Sequence, residues 1–185
     1  DEVAGLLMMR PELDEDVADH DPRRALEPLV DRHQGRVFKF TGDGVLVEFG
    51  SAVNAVQCAI DLQKGMAAAN NDQSEDRQIV LRIGVNLGDV MVEGSDLYGE
   101  GVNIAARLEQ SAPPGGVVLS HEMFQEIKDR LDVSVEDLGL LRLKHLSRPV
   151  RAYSLLLPEA ERLPPSRGGT SRQAKVPFIA VLPFR

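Results

Sequence analysis

Two clusters of residues in this sequence have the types and spacing to handle a phosphorylated ligand. The first is Lys39-Phe40-Thr41-Gly42-Asp43-Gly44, in which an acid between glycines joins two β-rich runs, Arg36–Phe40 and Val45–Phe49. A Gly-Asp-Gly tip is by itself an ordinary turn. Alternation along the first run predicts Phe38 and Phe40 on the side opposite Lys39, so that a cation and a carboxylate flank one corner of the hairpin. Carboxylate oxygens at such a turn are hard ligands suited to Mg²⁺, which combines one or two carboxylates with substrate phosphates. The second cluster runs from Asp96 to Glu109, where Asn103 and Arg107 share one face of a helix near its N-terminal end. Unpaired amides at that end attract anions, although an Asn and an Arg also suit a plain solvated face.

The surrounding pattern supplies elements to hold both clusters. Leu26, Leu29 and Val30 predict a short helix over Arg23–His33, stopped by Gly35. Ser51 is placed to cap a helix from Ala52 to about Ala69, whose Ala55, Ala59, Leu62 and Met66 form one buried stripe. Ile79–Val92 reads as a long strand, with Gly84 and Gly88 marking either a bulge or a close approach to the backbone. A helix over Val102–Gln110, a strand over Val117–Leu119, a helix over Glu122–Arg130 and strands over Val133–Asp137 and Val150–Leu157 complete the set. This order predicts an antiparallel-rich α+β fold with helices on one sheet face, and a ferredoxin-like βαββαβ core is the first choice.

Composition narrows the function classes. The chain has 185 residues, 43% hydrophobic and 27% charged, with no run approaching a membrane span and no apolar leader, so a cytoplasmic protein is expected. The single Cys58 has no intrachain partner and reads as a small buried group. His20, His33, His121 and His145 have no metal-ligand spacing. The net charge is −8, and Arg162, Arg167, Arg172, Lys175 and Arg185 against Glu159 and Glu161 leave about −11 on the first 158 residues. An acidic body with 4% aromatic residues argues against a nucleic-acid partner, including a ferredoxin-like RNA-binding module.

Taken together, Lys39 to Gly44, Arg82-Ile83-Gly84-Val85-Asn86-Leu87-Gly88-Asp89-Val90, Asp96 to Arg107, and Lys144 resemble the ordered signature of the class III nucleotidyl cyclase catalytic domain. The resemblance spans roughly residues 36–157 and is to bacterial members followed by further modules; Lys175 to Phe184 is similar to the opening of a TolB-like region. It implies a catalytic domain over 1–157, a linker over 158–174 and the start of a further domain over 175–185. It also implies an adenylate cyclase in signal transduction, converting ATP to 3′,5′-cyclic AMP and pyrophosphate at sites shared across a head-to-tail homodimer.

In that resemblance Asp43 matches the second metal-binding aspartate of a site holding two Mg²⁺ or Mn²⁺ ions over the triphosphate. Lys39 and Asp96 match the pair that reads the purine, and a lysine donating to N1 with an aspartate accepting from the 6-amino group suits adenine. Asn103 and Arg107 match the transition-state pair, and Lys144 the lysine on the terminal phosphates. The first metal ligand falls on Glu2, or on Asp1 with a one-residue insertion, beside an apolar-Gly turn at Val3-Ala4-Gly5-Leu6, with the strand that should lead into it missing. The helix that follows looks interrupted by Pro22. A guanylate cyclase, or a nucleotide-binding and dimerisation module that has lost a metal ligand, are the alternatives.

Overall fold

The computed structural model describes residues 2–12, 22–41, 44–71, 73–74, 78–93 and 96–157. The elements are β1 (Glu2–Glu12), α1 (Pro22–Arg32), β2 (Gly35–Thr41), β3 (Gly44–Phe49), α2 (Ala52–Asn70), β4 (Val80–Glu93), β5 (Asp96–Tyr98), α3 (Glu100–Ser111), β6 (Val117–Ser120), α4 (His121–Ile127), β7 (Val135–Leu141) and β8 (Val150–Leu155). The sheet runs β2-β3-β1-β4-β6-β8-β7, with β5 paired to β4 off that path. Its first four strands, joined by α1 and α2, are a ferredoxin-like βαββαβ unit. All pairings are antiparallel except β4 with β6.

The N-terminal segment departs from expectation. Glu2 to Glu12 is not a turn at Val3–Leu6 but an eleven-residue strand, lying between β3 and β4. Leu6, Leu7, Met8 and Met9 are all buried because a central strand covered on both faces needs no polar alternation. Pro22 opens α1 instead of interrupting it, a first-turn position where its missing N–H costs nothing.

Helices occupy both faces of the sheet, which corrects the one-face expectation. Leu7 and Met9 of β1, with Leu81, Ile83 and Val85 of β4, pack with Leu26 and Val30 of α1, Ala55, Ala59 and Leu62 of α2, and Met123 and Ile127 of α4. Leu6 and Met8 turn the other way, to Leu46 and to Ala105 of α3. Farther along that face Leu108 of α3 meets Val118 of β6 and Ala152 of β8. Ser51 does cap α2, its Oγ accepting from the Asn54 amide at 3.4 Å. Cys58 is fully buried in the α2 stripe, and burial, together with the charge of Asp61, pushes its thiol up to about 12.

β7 covers Val135–Leu141, not Val133–Asp137, with a register shift between Asp137 and Gly139. Gly139 there has φ 71°, which favours glycine, and its amide donates to Asp137 Oδ1 at 2.8 Å. Arg151 of β8 donates to the other carboxylate oxygen at 2.5 Å, and that guanidinium, with the Gly139 amide, holds the Asp137 carboxyl below the usual carboxylate range. These bonds shape the hairpin whose turn carries Lys144. Residues 158–185, with the expected linker and TolB-like segment, lie outside the described residues.

Candidate active site

α3 is seated by β4. Every second residue of β4 from Arg82 to Gly88 faces this helix, and the alternate ones face α1, α2 and α4. At Gly84 any β-carbon would collide with the main chain of Ala105 and Glu109, so the helix rests directly on the strand. At Gly88 the nearest helix atom is Gly101 Cα, 3.5 Å from where a β-carbon would sit. The close approach, not a bulge, is therefore what these glycines serve. Between them Asn86, 2% exposed, donates through Nδ2 to the Gly101 carbonyl at 3.1 Å. Arg82 Nη1 reaches the Ala112 carbonyl, just past the other end of α3, at 2.6 Å.

The helix so held turns Gly101, Ala105, Leu108 and Glu109 into the protein, and Asn103 is exposed on the opposite face. Arg107 lies one turn farther on, half-buried, with Nη1 on Gln110 Oε1 at 2.7 Å. Gly99, at φ 145°, is the N-cap and offers no side-chain acceptor, so nothing from that position competes for the first-turn amides. Lys144 is exposed in the β7–β8 turn, and its neighbour Leu143 packs with the cluster containing Leu108 of α3. The transition-state candidates thus stand on the α3 side of the sheet, and Leu143, next to Lys144, packs there as well.

Lys39 joins that side through an irregularity that alternation could not foresee. A register shift between Val37 and Lys39 sets Lys39 opposite Leu46, whose side chain packs toward α3. The same shift separates the two phenylalanines: Phe38 packs on the α3 side, Phe40 on the α1 and α2 side. The expectation that both face away from Lys39 is corrected by this extra residue. Asp96 is paired with Glu93 at the far end of β4. A groove of about 610 Å³ opens near that end, lined by Asn86, Gly101, Ile104, Arg148 and Arg151 among others.

Of the metal candidates, Asp43, between the paired Thr41 and Gly44, and Asp1 lie outside the described residues. Glu2 pairs with Val90 of β4. Among the described residues no three His, Cys, Asp or Glu side chains come together as a metal group.

The comparisons with known proteins decide the family. A profile described as the adenylate and guanylate cyclase catalytic domain matches residues 21–156. This chain belongs to that family. A crystal structure of an adenylate/guanylate cyclase/hydrolase from Silicibacter pomeroyi superposes on the cyclase domain with a TM-score of 0.75 and 31% identity, over 84% of this chain and 96% of the other. The adenylyl cyclase CyaB from P. aeruginosa has the same fold, with a TM-score of 0.72 and 24% identity, over 84% of this chain and 94% of that one. A Rhizobium meliloti protein described as "Putative adenylate cyclase 3" is 54% identical over 164 residues, 88% of this chain. The cyclase domain spans only 28% of that relative's length. Among the described residues no helix is long and apolar enough to cross a membrane.

Sequence reasoning places Arg82 and Asn86 in one of the resembling segments but gives neither a role. Their signal was available: polar residues at every second position, interleaved with Gly84 and Gly88, inside an otherwise apolar strand. A strand face built of small and hydrogen-bonding residues marks a seat for another backbone.

Proposed function

We propose that the domain is an adenylate cyclase, forming 3′,5′-cyclic AMP and pyrophosphate from ATP between two copies of the chain. The observation that carries this reading is the match of residues 21–156 to the adenylate and guanylate cyclase catalytic domain, on a fold shared with solved cyclases. β5, which carries Asp96, packs against β2, which carries Lys39, so one copy presents both purine-reading candidates together. Across a two-fold axis they face Asp43 of the other copy, and a head-to-tail pair makes two equal sites.

In such a site Lys39 donates to N1 of adenine and Asp96 accepts from the 6-amino group, whereas guanine offers O6 and N1–H, the opposite polarity. Asn103 orients the ribose so that its 3′-oxygen attacks the α-phosphorus in line with the departing pyrophosphate. The bond to the bridging oxygen breaks as the new P–O bond forms, and the hydroxyl proton passes to solvent. Arg107 stabilises the charge growing on the α-phosphate oxygens, and Lys144 holds the terminal phosphates. The identity shared with the rhizobial relative supports adenine over guanine.

Purified protein incubated with ATP and Mg²⁺ or Mn²⁺ is expected to release cyclic AMP, and more slowly cyclic GMP from GTP. Equal or faster turnover of GTP overturns the substrate assignment. A second reading, a module that binds nucleotide without turning it over, is favoured by one observation: Glu2 stands where the resemblance expects an aspartate. Calorimetry separates the two, since ATP binding without product formation supports the second.

A further inference from the structure

We propose that Asn86 and Arg82 are positioning residues that fix α3 along β4 and so place Asn103 and Arg107; the inference rests on the cyclase reading of that helix. Gly84 and Gly88 give α3 a nearly smooth track. Helices packed through interlocking side-chain ridges resist sliding, and a helix lying on glycines lacks that interlock in the same measure. Ala105 and Leu108 of α3 still pack on side chains of the neighbouring strands, but along β4 itself polar contacts are what can fix the axial position. The two hydrogen bonds from β4 are suited to it, because they grip the helix at opposite ends, Asn86 at Gly101 and Arg82 at Ala112.

Each bond has a reason to be there beyond general stability. A nearly fully buried amide in an apolar strand is unfavourable unless it is hydrogen-bonded, and Asn86 spends its Nδ2 on a carbonyl two residues before Asn103. The Ala112 carbonyl belongs to a helix end where no helical amide remains to reach it, and a guanidinium there also complements the helix dipole. Arg107 lies between the two grips. A sub-ångström to ångström drift of α3 would carry both transition-state candidates away from the reacting phosphorus, while Lys39 and Asp96, on β2 and β5, would continue to read the purine.

The test is steady-state kinetics on the full chain with ATP and Mn²⁺, alongside urea midpoints. Asn86→Leu keeps volume and removes the donor; it is expected to lower kcat on the order of 10- to 100-fold, with KM changed less than about threefold. Arg82→Met, at a half-buried site that leaves the core intact, should show the same split more weakly, and Arg82→Lys should regain most of the lost kcat. Unchanged kcat in folded Asn86→Leu and Arg82→Met, or a loss confined to KM, overturns the positioning role. Arg107→Ala run in parallel distinguishes the two levels: if it keeps full rate, the reading of α3 itself is wrong and the inference falls with it. If Arg107→Ala is inactive and Asn86→Leu is not, only the positioning role is overturned.

Discussion

Gly84 of β4 lies directly beneath Glu109 of α3, so close that a β-carbon on the glycine would overlap the main-chain nitrogen of the glutamate. Neither partner in that contact is a flexible side-chain end, so relief requires the helix or the strand to move. Gly84→Ala is expected to destabilise the domain by about 1–3 kcal/mol, and Gly84→Val by more, through overpacking. Gly88→Ala is the control, because its β-carbon would meet the Asn86 amide nitrogen at 3.1 Å and Gly101 Cα at 3.5 Å. Urea midpoints for the three variants should rank accordingly, and equal losses at Gly84 and Gly88 would count against the seating described.

Sharing of the site between two copies leads to a complementation result. Asp43→Ala and Arg107→Ala should each abolish cyclic AMP formation alone. Mixed in equal amounts and allowed to exchange, they should recover about a quarter of wild-type activity, because half the dimers are mixed and one of their two sites is intact. Cyclic AMP assays before and after mixing measure this. No recovery, with dimers of both kinds present by mass, would place the two residues in one chain's site.

The purine pair should be exchangeable. Lys39→Glu with Asp96→Cys removes the donor to N1 and the acceptor for the amino group, so the ratio of kcat/KM for ATP over GTP should fall by at least tenfold, the scale of one hydrogen bond to a charged group. An unchanged ratio would show that neither residue reads the base.

Cys58 makes a prediction about alkaline pH. Its folded thiol is pushed up to about 12 from an ordinary 9.0 by burial and by Asp61. A group raised on folding stabilises the fold fully below its unfolded value, and that stabilisation is lost as pH climbs from about 9 through about 12. Urea unfolding at stepped pH should therefore show stability falling above pH 9, with a shallower fall in Cys58→Ala. The native thiol should also resist alkylation at pH 8 and react once unfolded; rapid native alkylation would contradict its burial.

Much of this molecule was legible before any coordinates. The hairpin flanking residues 42 and 43, the Ser51 cap, the α2 stripe and the helix after Asp96 are written in local chemistry, namely turn residues, a hydroxyl acceptor and a 3.6-residue period. The strand from Glu2 was misread because an apolar run with a glycine inside fits a turn as well as a buried strand, and only the pairing of Gly5 with both Phe49 and Leu87 settles it.

The side of the sheet on which each group stands was decided by tertiary packing alone. Local periodicity says that one stripe of α3 is apolar, but not which face of the sheet receives it; that depends on the glycine track of β4, a separate strand earlier in the sequence. Lys39 likewise reaches the α3 side through one extra residue in β2, a shift that pairing with β3 creates and that alternation within β2 cannot contain. Residue types are a property of the chain, whereas register and face are properties of contacts between distant segments, and the candidate site is assembled from the latter.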